Sequence, residues 1–143
     1  MADFTWSYSA LKQYENCPRQ YNEIRVLKNY VVKENEAMRY GTEVHKALED
    51  YVAEGKPLAK NYQRFKSMVD PLVDIPGIKY PEHEMALTYD KLPCDFGSEH
   101  RWVRGIADLL IVDGDYAFIV DYKTNSNKYP DPKQLRLMAL MVF

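Results

Sequence analysis

Two aspartates and a lysine accompany two apolar stretches near the end of the sequence. Asp108 is followed by four apolar residues, Asp121 is preceded by four more, and Lys123 comes two residues after Asp121. A tight turn at residues 113–115 predicts that the two stretches pair as an antiparallel hairpin. Pairing about that turn places residue 108 opposite about residue 120, within one position of Asp121. The two carboxylates are therefore expected to meet at one end of a sheet.

Two neighbouring acids in a sheet need a cation between them, because their repulsion would otherwise force a proton onto one of them. Mg²⁺ prefers oxygen ligands and often uses one or two carboxylates together with water. Lys123 falls on the same face as Asp121, since strand side chains alternate with period two. A metal ion can polarise a phosphoryl oxygen, and a lysine beside it can orient the attacking water. The arrangement indicates hydrolysis of a phosphodiester.

The bulk properties set wide limits on this chemistry. The chain has 143 residues, 19 basic and 21 acidic side chains and two distant cysteines, Cys17 and Cys94. The near-zero net charge indicates neither nucleic-acid nor membrane binding, although a local basic face would suffice for DNA. The cysteine spacing makes a disulfide scaffold a poor interpretation and favours a reducing cytoplasm. The start does not read as a signal peptide, and no apolar run approaches the roughly 20 residues of a membrane span.

The sequence predicts a helical first part and a second part of strands. Helical spacing from about residue 8 is interrupted at Pro18, which predicts two short helices. The pattern at 36–55 predicts a long helix that carries His45 on its apolar stripe and stops at Gly55. A further helix is predicted at 61–72, ended by the region of Pro71 and Pro76.

Three strands are predicted after residue 80, in "HEMALTYD", "HRWVRGIADLLIV" and "YAFIVDYKT". Asp131 is expected to cap a last helix that begins at Pro132. One domain is expected over residues 1–143, with a mainly helical part at 1–75 and the strands and last helix at 80–143. Because nothing follows "QLRLMALMVF", the C-terminal part of the sheet is expected to be missing. Either the chain is truncated, or a partner or a second copy completes the sheet.

These residues resemble the active-site motif of the PD-(D/E)XK nuclease superfamily, in particular its RecB-like exonuclease branch. The core of the resemblance is Asp108, twelve intervening residues, and the acid-x-lysine element Asp121-Tyr122-Lys123. Three more motifs follow the family's order: "SYSALKQYENCPRQY" is similar to S-x-S-x-L…CP…Y, "YGTEVHKALE" to GTxxHxxLE, and "KQLRLMALM" to QxxxY. The resemblance implies an α/β fold with a restriction-endonuclease-like core, in which helices flank a mixed β-sheet.

The resemblance also implies a role for each matching residue. The groups implied as ligands of one or two Mg²⁺ or Mn²⁺ ions are His45, Asp108, Asp121 and the backbone carbonyl of Tyr122. Lys123 would position the attacking water, and Gln134 would organise Lys123 or contact the DNA. Glu84, on the strand before Asp108, corresponds to a family acid near the metal.

Other residues are candidate DNA contacts or departures from the family pattern. The candidate contacts are Ser9, Lys128, Lys133 and Arg136, although a helix cap and a solvated helix face explain them equally well. Met138 replaces the tyrosine of the QxxxY element. Cys17 resembles the first ligand of an iron–sulfur cluster found in some relatives. The other three ligands would fall after the last helix, so no cluster is expected.

The function that the resemblance implies is metal-dependent hydrolysis of DNA. An exonuclease acting on single strands or DNA ends, in recombination, repair or phage DNA metabolism, is the expected form. Its place would be the cytoplasm, or the host cytoplasm if the chain is phage-encoded. Two alternatives stay open: a catalytically silent nucleic-acid-binding or assembly module, and a fragment that is active only with missing strands or a partner.

Overall fold

The protein is built around a three-stranded antiparallel sheet in the order β1-β2-β3. The computed structural model describes residues 4–124 and 131–143. The strands are β1, Ile78–Thr88, β2, Arg101–Asp113, and β3, Tyr116–Val120. A two-residue turn joins β2 to β3, and its Gly114 has a φ of 57°, the left-handed backbone conformation that such hairpin turns use.

The N-terminal part forms two short helices, as predicted. Helix α1 spans Tyr8–Asn16, and the side chain of Ser7 caps it by accepting a hydrogen bond from the Ala10 amide. Cys17 is extended, and helix α2, Pro18–Tyr21, begins with the proline at its first position and continues into a π-helical turn at Asn22–Val26.

The long predicted helix is confirmed as α3, Glu36–Glu54. The side chain of Asn35 caps its start, and Gly55 ends it in a left-handed conformation with a φ of 70°. Val44 and Leu48 are completely buried on the face that packs against the sheet.

The helix predicted at 61–72 is present and ends at Asp74, within the region of Pro71 and Pro76, although Pro71 itself does not stop it. A 3₁₀ turn at Lys60–Phe65 leads into helix α4, Lys66–Asp74, and Pro71 lies inside that helix. Leu72 and Ile75, which follow the proline, pack against the core. This packing offsets the hydrogen bond that proline removes, so the helix continues for another turn.

Helices cover both faces of the sheet. Helices α3 and α4 enclose one core cluster with β2, in which Val69, Leu109 and Ile111 are fully buried. Helix α5, Pro132–Val142, packs on the sheet through a second cluster that includes Met138 and Met141. The α/β fold class is thereby confirmed, and a parallel bridge between Trp6 and Val103 adds to the antiparallel pairs. No helix among the described residues is long and apolar enough to cross a membrane.

Strand β3 is shorter than the sequence indicates. It was expected to extend through Thr124, yet it ends at Val120, so Asp121 and Lys123 follow the strand. Two residues after the strand, the backbone N–H of Tyr122 donates to the side chain of Asp108 at 2.6 Å and not to a backbone carbonyl of β2. The Asp108 carboxylate thus accepts the hydrogen bond that would otherwise continue the β2–β3 ladder, at the point where the candidate site begins.

The alternation of side chains along β2 is broken at Asp108. Ala107 belongs to the cluster under α5 and Leu109 to the cluster under α3, although strict alternation would place both on one face. Across the pair of strands, the register places Glu82 of β1 opposite Asp108. Glu82 has a φ of 48°, a left-handed conformation that is rare for a non-glycine residue. This distortion turns acidic side chains toward α3.

Candidate metal centre and active site

Three side chains from different elements come together beside α3. His45 of α3, Glu82 of β1 and Asp108 of β2 each offer one ligand atom, and these atoms lie within 4.8 Å of one another. The ring Nδ1 of His45 lies 3.3 Å from Asp108 Oδ1. All three residues are partly buried. The cluster therefore combines an imidazole with two carboxylates at a place that solvent still reaches.

Glu82, and not Glu84, is the β1 acid of this cluster. Glu84 is exposed and lines a cavity of about 590 Å³ between the sheet and α5. That cavity contains none of the three clustered donors. We place the site at the donors, because a phosphodiester reaction needs charged groups and the large cavity is mainly apolar.

His45 is held by two hydrogen-bond acceptors. Asp108 accepts at one ring nitrogen, and the carbonyl oxygen of Tyr122 lies 3.1 Å from the other. The hydrogen bond to Asp108 is the main cause that raises the pKa of His45 above its usual range. A bound cation would replace the ring proton of His45, because a histidine that ligates a metal must be neutral.

Tyr122 fixes the backbone around which the site forms. Its side chain is buried in the core cluster under α3, while its amide donates to Asp108 and its carbonyl faces His45. Burial is the main cause that raises the pKa of Tyr122 to about 12, and the charges of Asp108 and Glu82 add to it. The buried side chain of Tyr122 thus orients both the amide and the carbonyl of this residue toward the site.

Asp121, Lys123 and Gln134 form a second group next to the first. The carboxylate of Asp121 pairs with the ammonium group of Lys123, whose Nζ also donates to Gln134 Oε1 at 3.1 Å. Asp121 follows the strand register one step past the Leu109–Val120 pair, which places it opposite Asp108. Among the described residues, the cluster of potential metal ligands contains Asp108 and does not contain Asp121.

Helix α5 is attached to the N-terminal part at the end that carries Gln134. Asp131 caps α5 by accepting from the Lys133 amide at 3.0 Å, and its other oxygen accepts from the hydroxyl of Tyr8. The Tyr8 hydrogen bond is the main cause that lowers the pKa of Asp131. Burial is the main cause that raises the pKa of Tyr8 to about 12, and the charge of Asp121 contributes. Tyr8 thus lies within the electrostatic reach of the site.

The candidate DNA contacts are dispersed over the surface. Ser9 shares a hydrogen bond with Ser7 and lies 3.4 Å from Arg25 Nη2. Lys133 forms an ion pair with Glu15, with 3.7 Å between the charged atoms, and this pair partly neutralises its charge. Arg136 is exposed on α5. Lys128 lies outside the described residues.

The electrostatics of the cluster favour a divalent cation. Burial and the neighbouring charge of Asp108 raise the pKa of Glu82, because both oppose a second negative charge at this place. A cation between the two carboxylates would relieve this repulsion. Oxygen donors suit Mg²⁺ and Mn²⁺, and one imidazole donor favours Mn²⁺ more than Mg²⁺. The donors present fit such an ion, and His45, Glu82 and Asp108 would hold it.

A small cavity gives access to this cluster. Its volume is about 400 Å³, and it is lined by Thr42, His45, Lys46, Glu49 and Glu82. Lys46 pairs with Glu49 at 3.2 Å and with Asp50 at 3.0 Å, so its charge is partly neutralised. The cavity thus leads to two of the three donors, His45 and Glu82.

Glu82 is the functional candidate that the sequence did not indicate. A period-two pattern on β1 gives Glu82 and Glu84 the same face, so the pattern cannot choose between them. The distinguishing signal is the pairing register, which places Glu82 opposite Asp108. That register depends on a strand that begins at Ile78, earlier than the alternation at "HEMALTYD" indicates.

A comparison with protein families adds an independent observation. A model of the PD-(D/E)XK nuclease superfamily matches residues 5–85, which is more than half of the 143 residues. The match includes His45 and Glu82 and ends before Asp108. Searches of curated proteins and of solved structures each found no significant match.

Proposed function

The chain belongs to the PD-(D/E)XK nuclease superfamily, and on this premise we propose that it is a metal-dependent deoxyribonuclease of the RecB-like type. The observation that carries the proposal is the cluster of His45, Glu82 and Asp108 beside the Asp121–Lys123 pair. The family match supports a nuclease, and the donor set supports a divalent metal. The two observations overlap at His45 and Glu82, which lie within the matched residues, whereas Asp108, Asp121 and Lys123 lie beyond them.

The side chains of the site have separable roles in this proposal. His45, Glu82 and Asp108 would hold Mg²⁺ or Mn²⁺, with the Tyr122 carbonyl and Asp121 as further oxygen donors. When bound, the cation would polarise the scissile phosphoryl oxygen and lower the pKa of a water molecule.

Lys123 would orient the attacking water and stabilise the negative charge that develops on the phosphate. Gln134 restrains the Lys123 ammonium group through its side-chain oxygen, and Asp121 restrains it from the opposite side. A lysine held by two partners loses less freedom when the substrate arrives, so its ammonium group is already positioned.

The substrate in this proposal is DNA with a free end, single-stranded at the reacting position. An exonuclease acting in recombination, repair or phage DNA metabolism is the form that the RecB-like motif order supports. Attack in line with the leaving 3′-oxygen would leave a 5′-phosphate.

Two linked measurements test the function. Titration calorimetry of Mn²⁺ into the chain and into Asp108→Ala, with Asp115→Ala as an exposed hairpin control, measures the metal site. Digestion of linear and circular single-stranded DNA by the same proteins then measures the activity. We expect binding and cleavage of linear DNA by the unaltered chain and by the control, and neither by Asp108→Ala.

Three other outcomes would correct the proposal. Cleavage of the circular substrate would establish an endonuclease. Metal binding without cleavage would favour a binding or assembly module, or a domain that needs a partner. Unaltered cleavage by Asp108→Ala would remove the site from the reaction.

A further inference from the structure

A second groove, separate from the metal cluster, lies between the N-terminal residues, α1 and the segment after α2. Its volume is about 510 Å³. Aromatic rings and two cations line it, namely Phe4, Tyr21, Tyr30, Arg25 and Lys28. Exposed aromatic rings next to cations are the elements with which proteins hold single-stranded nucleic acid.

The floor of the groove is rigid, whereas its rim is open to solvent. Tyr21 is buried and stacks on Trp6 with ring centroids 5.8 Å apart, and Phe4 meets Trp6 edge to face at 4.4 Å. On the rim, Tyr30 is 67% exposed and Val31 is 87% exposed. A tyrosine that is this exposed leaves a ring face available for stacking.

The groove is cationic. Arg25 is held by neutral partners, the side chains of Gln13 and Ser9. Within residues 4–124 and 131–143, neither Arg25 nor Lys28 forms an ion pair, and no acid lines this groove. Glu23, on the same turn, accepts from Asn29 at 2.8 Å and lines a neighbouring cavity. Two cations without a matching acid favour a polyanion over an apolar peptide as the occupant.

The backbone holds these groups in place. The π-helical turn Asn22–Val26 carries Arg25, and Lys28 follows with a φ of 54°. Tyr30, two residues after this left-handed residue, lines the same groove. Non-glycine residues with positive φ and π-helical turns both cost stability and recur at functional sites.

The groove is linked through α1 to the start of α5. Ser9 contacts Arg25 of the groove, and the adjacent Tyr8 donates to Asp131, which caps α5. Helix α1 therefore contacts both the groove and the start of the helix that carries Gln134, the partner of Lys123.

We propose that this groove binds the bases and phosphates of single-stranded DNA, with a base stacked on Tyr30 and phosphates at Arg25 and Lys28. The identity of the ligand rests on the proposed nuclease function, while the groove itself needs no metal. A duplex cannot use it in the same way, because its bases are already stacked on one another.

The test measures binding in EDTA, where no cleavage takes place. Fluorescence anisotropy with labelled oligothymidylate follows the affinity of the unaltered chain, Tyr30→Ala and Lys28→Ala over a range of salt concentrations. The controls are Tyr116→Ala, a tyrosine of similar exposure on the β2–β3 hairpin, and Lys91→Ala. Lys91 is an exposed lysine with a φ of 64°, so its replacement matches the backbone effect of replacing Lys28.

We expect Tyr30→Ala to weaken binding about 5- to 100-fold without changing its salt dependence. Lys28→Ala should also reduce the slope of log affinity against log salt by about 0.7, the value for one phosphate contact on a single strand. Both controls should bind as the unaltered chain does. Binding of a duplex of the same length should not respond to Tyr30→Ala.

The experiments can contradict the proposed groove and the proposed nuclease activity separately. Groove variants that bind like their controls, or no binding by the unaltered chain, would overturn the groove even if metal-dependent cleavage is observed. Tighter binding of oligouridylate would overturn its assignment to DNA. Loss of binding in both groove variants would sustain the groove even if the unaltered chain cleaves nothing.

Discussion

Glu82 and Glu84 provide a matched pair for testing the metal cluster one residue at a time. Both are glutamates of β1, but only Glu82 offers an oxygen to the cluster. We expect Glu82→Gln to weaken Mn²⁺ binding about 10- to 100-fold, because a neutral amide replaces one of two carboxylates. Titration calorimetry measures the change.

Glu84→Gln is the control for this experiment and should change Mn²⁺ affinity less than about twofold. The two substitutions remove the same charge from the same strand, so their difference isolates the position. A larger loss in Glu84→Gln than in Glu82→Gln would restore the assignment that the sequence suggested and would place the metal elsewhere.

Tyr8 is linked to the site through helix α5, because its hydroxyl group holds the start of that helix. Its hydroxyl donates to the helix cap Asp131, and the first turn of α5 carries Gln134, the partner of Lys123. We expect Tyr8→Phe to reduce turnover about 3- to 10-fold. The Mn²⁺ affinity should stay unchanged, since the clustered donors lie on α3, β1 and β2. Unchanged turnover would show that α5 needs no such anchor.

The same hydrogen bond makes part of the stability depend on pH. It lowers the pKa of Asp131 in the folded state, so folding favours the ionised carboxylate. The contribution is fully present above the unfolded-state pKa of about 3.9 and is lost as the pH falls through the lower folded value. Denaturant titrations at several pH values should therefore show a stability difference between the unaltered chain and Tyr8→Phe that narrows in acid. A difference that widens in acid would contradict this linkage.

Gly77 begins the sheet at a position that no side chain can occupy. Its φ is 114°, and an added Cβ would lie 2.3 Å from the carbonyl oxygen of Val112. We expect Gly77→Ala to lower the free energy of unfolding by at least about 1–3 kcal/mol, because the obstacle is backbone and the conformation is strained. Gly97→Ala is the control, since nothing lies within 4 Å of its added Cβ. Thermal unfolding of the two variants distinguishes the sites, and equal melting temperatures would refute the clash.

At the scale of the whole molecule, the metal should act as a cross-link. Its proposed ligands come from α3, β1 and β2, which are far apart in the sequence. At a Mn²⁺ concentration of about 100 times Kd, the folded state should gain about 2.7 kcal/mol, which corresponds to a rise in Tm of about 5–10 °C. Asp108→Asn should show no such rise. Equal rises in both proteins would mean that Mn²⁺ stabilises the fold from another place.

Much of the architecture follows from local sequence signals, whereas the details of the site depend on long-range pairing. The break at Pro18, the stop at Gly55 and the start of α5 at Asp131 each depend on one residue and its neighbours, so the sequence predicts them. The position of Pro71 inside α4 depends on the packing of later residues, which a local rule for proline does not contain.

The end of β3 and the choice of Glu82 could not be predicted from local patterns. The first depends on the carboxylate of Asp108, which captures the Tyr122 amide. The second depends on the register between β1 and β2 and on a backbone conformation that no periodic pattern encodes. Both departures from regular sheet geometry occur at the candidate site, where local rules are most often broken for function.

The left-handed backbone of Glu82 has a consequence for how this sequence would change under selection. Glycine or asparagine would adopt the same φ of 48° more readily, and either would remove a negative charge that faces Asp108. A screen for thermal resistance alone should therefore enrich replacements at this position, whereas a screen that also demands DNA cleavage should eliminate them. Opposite outcomes of the two screens at this position would show that Glu82 lowers the stability of the fold and is needed for activity.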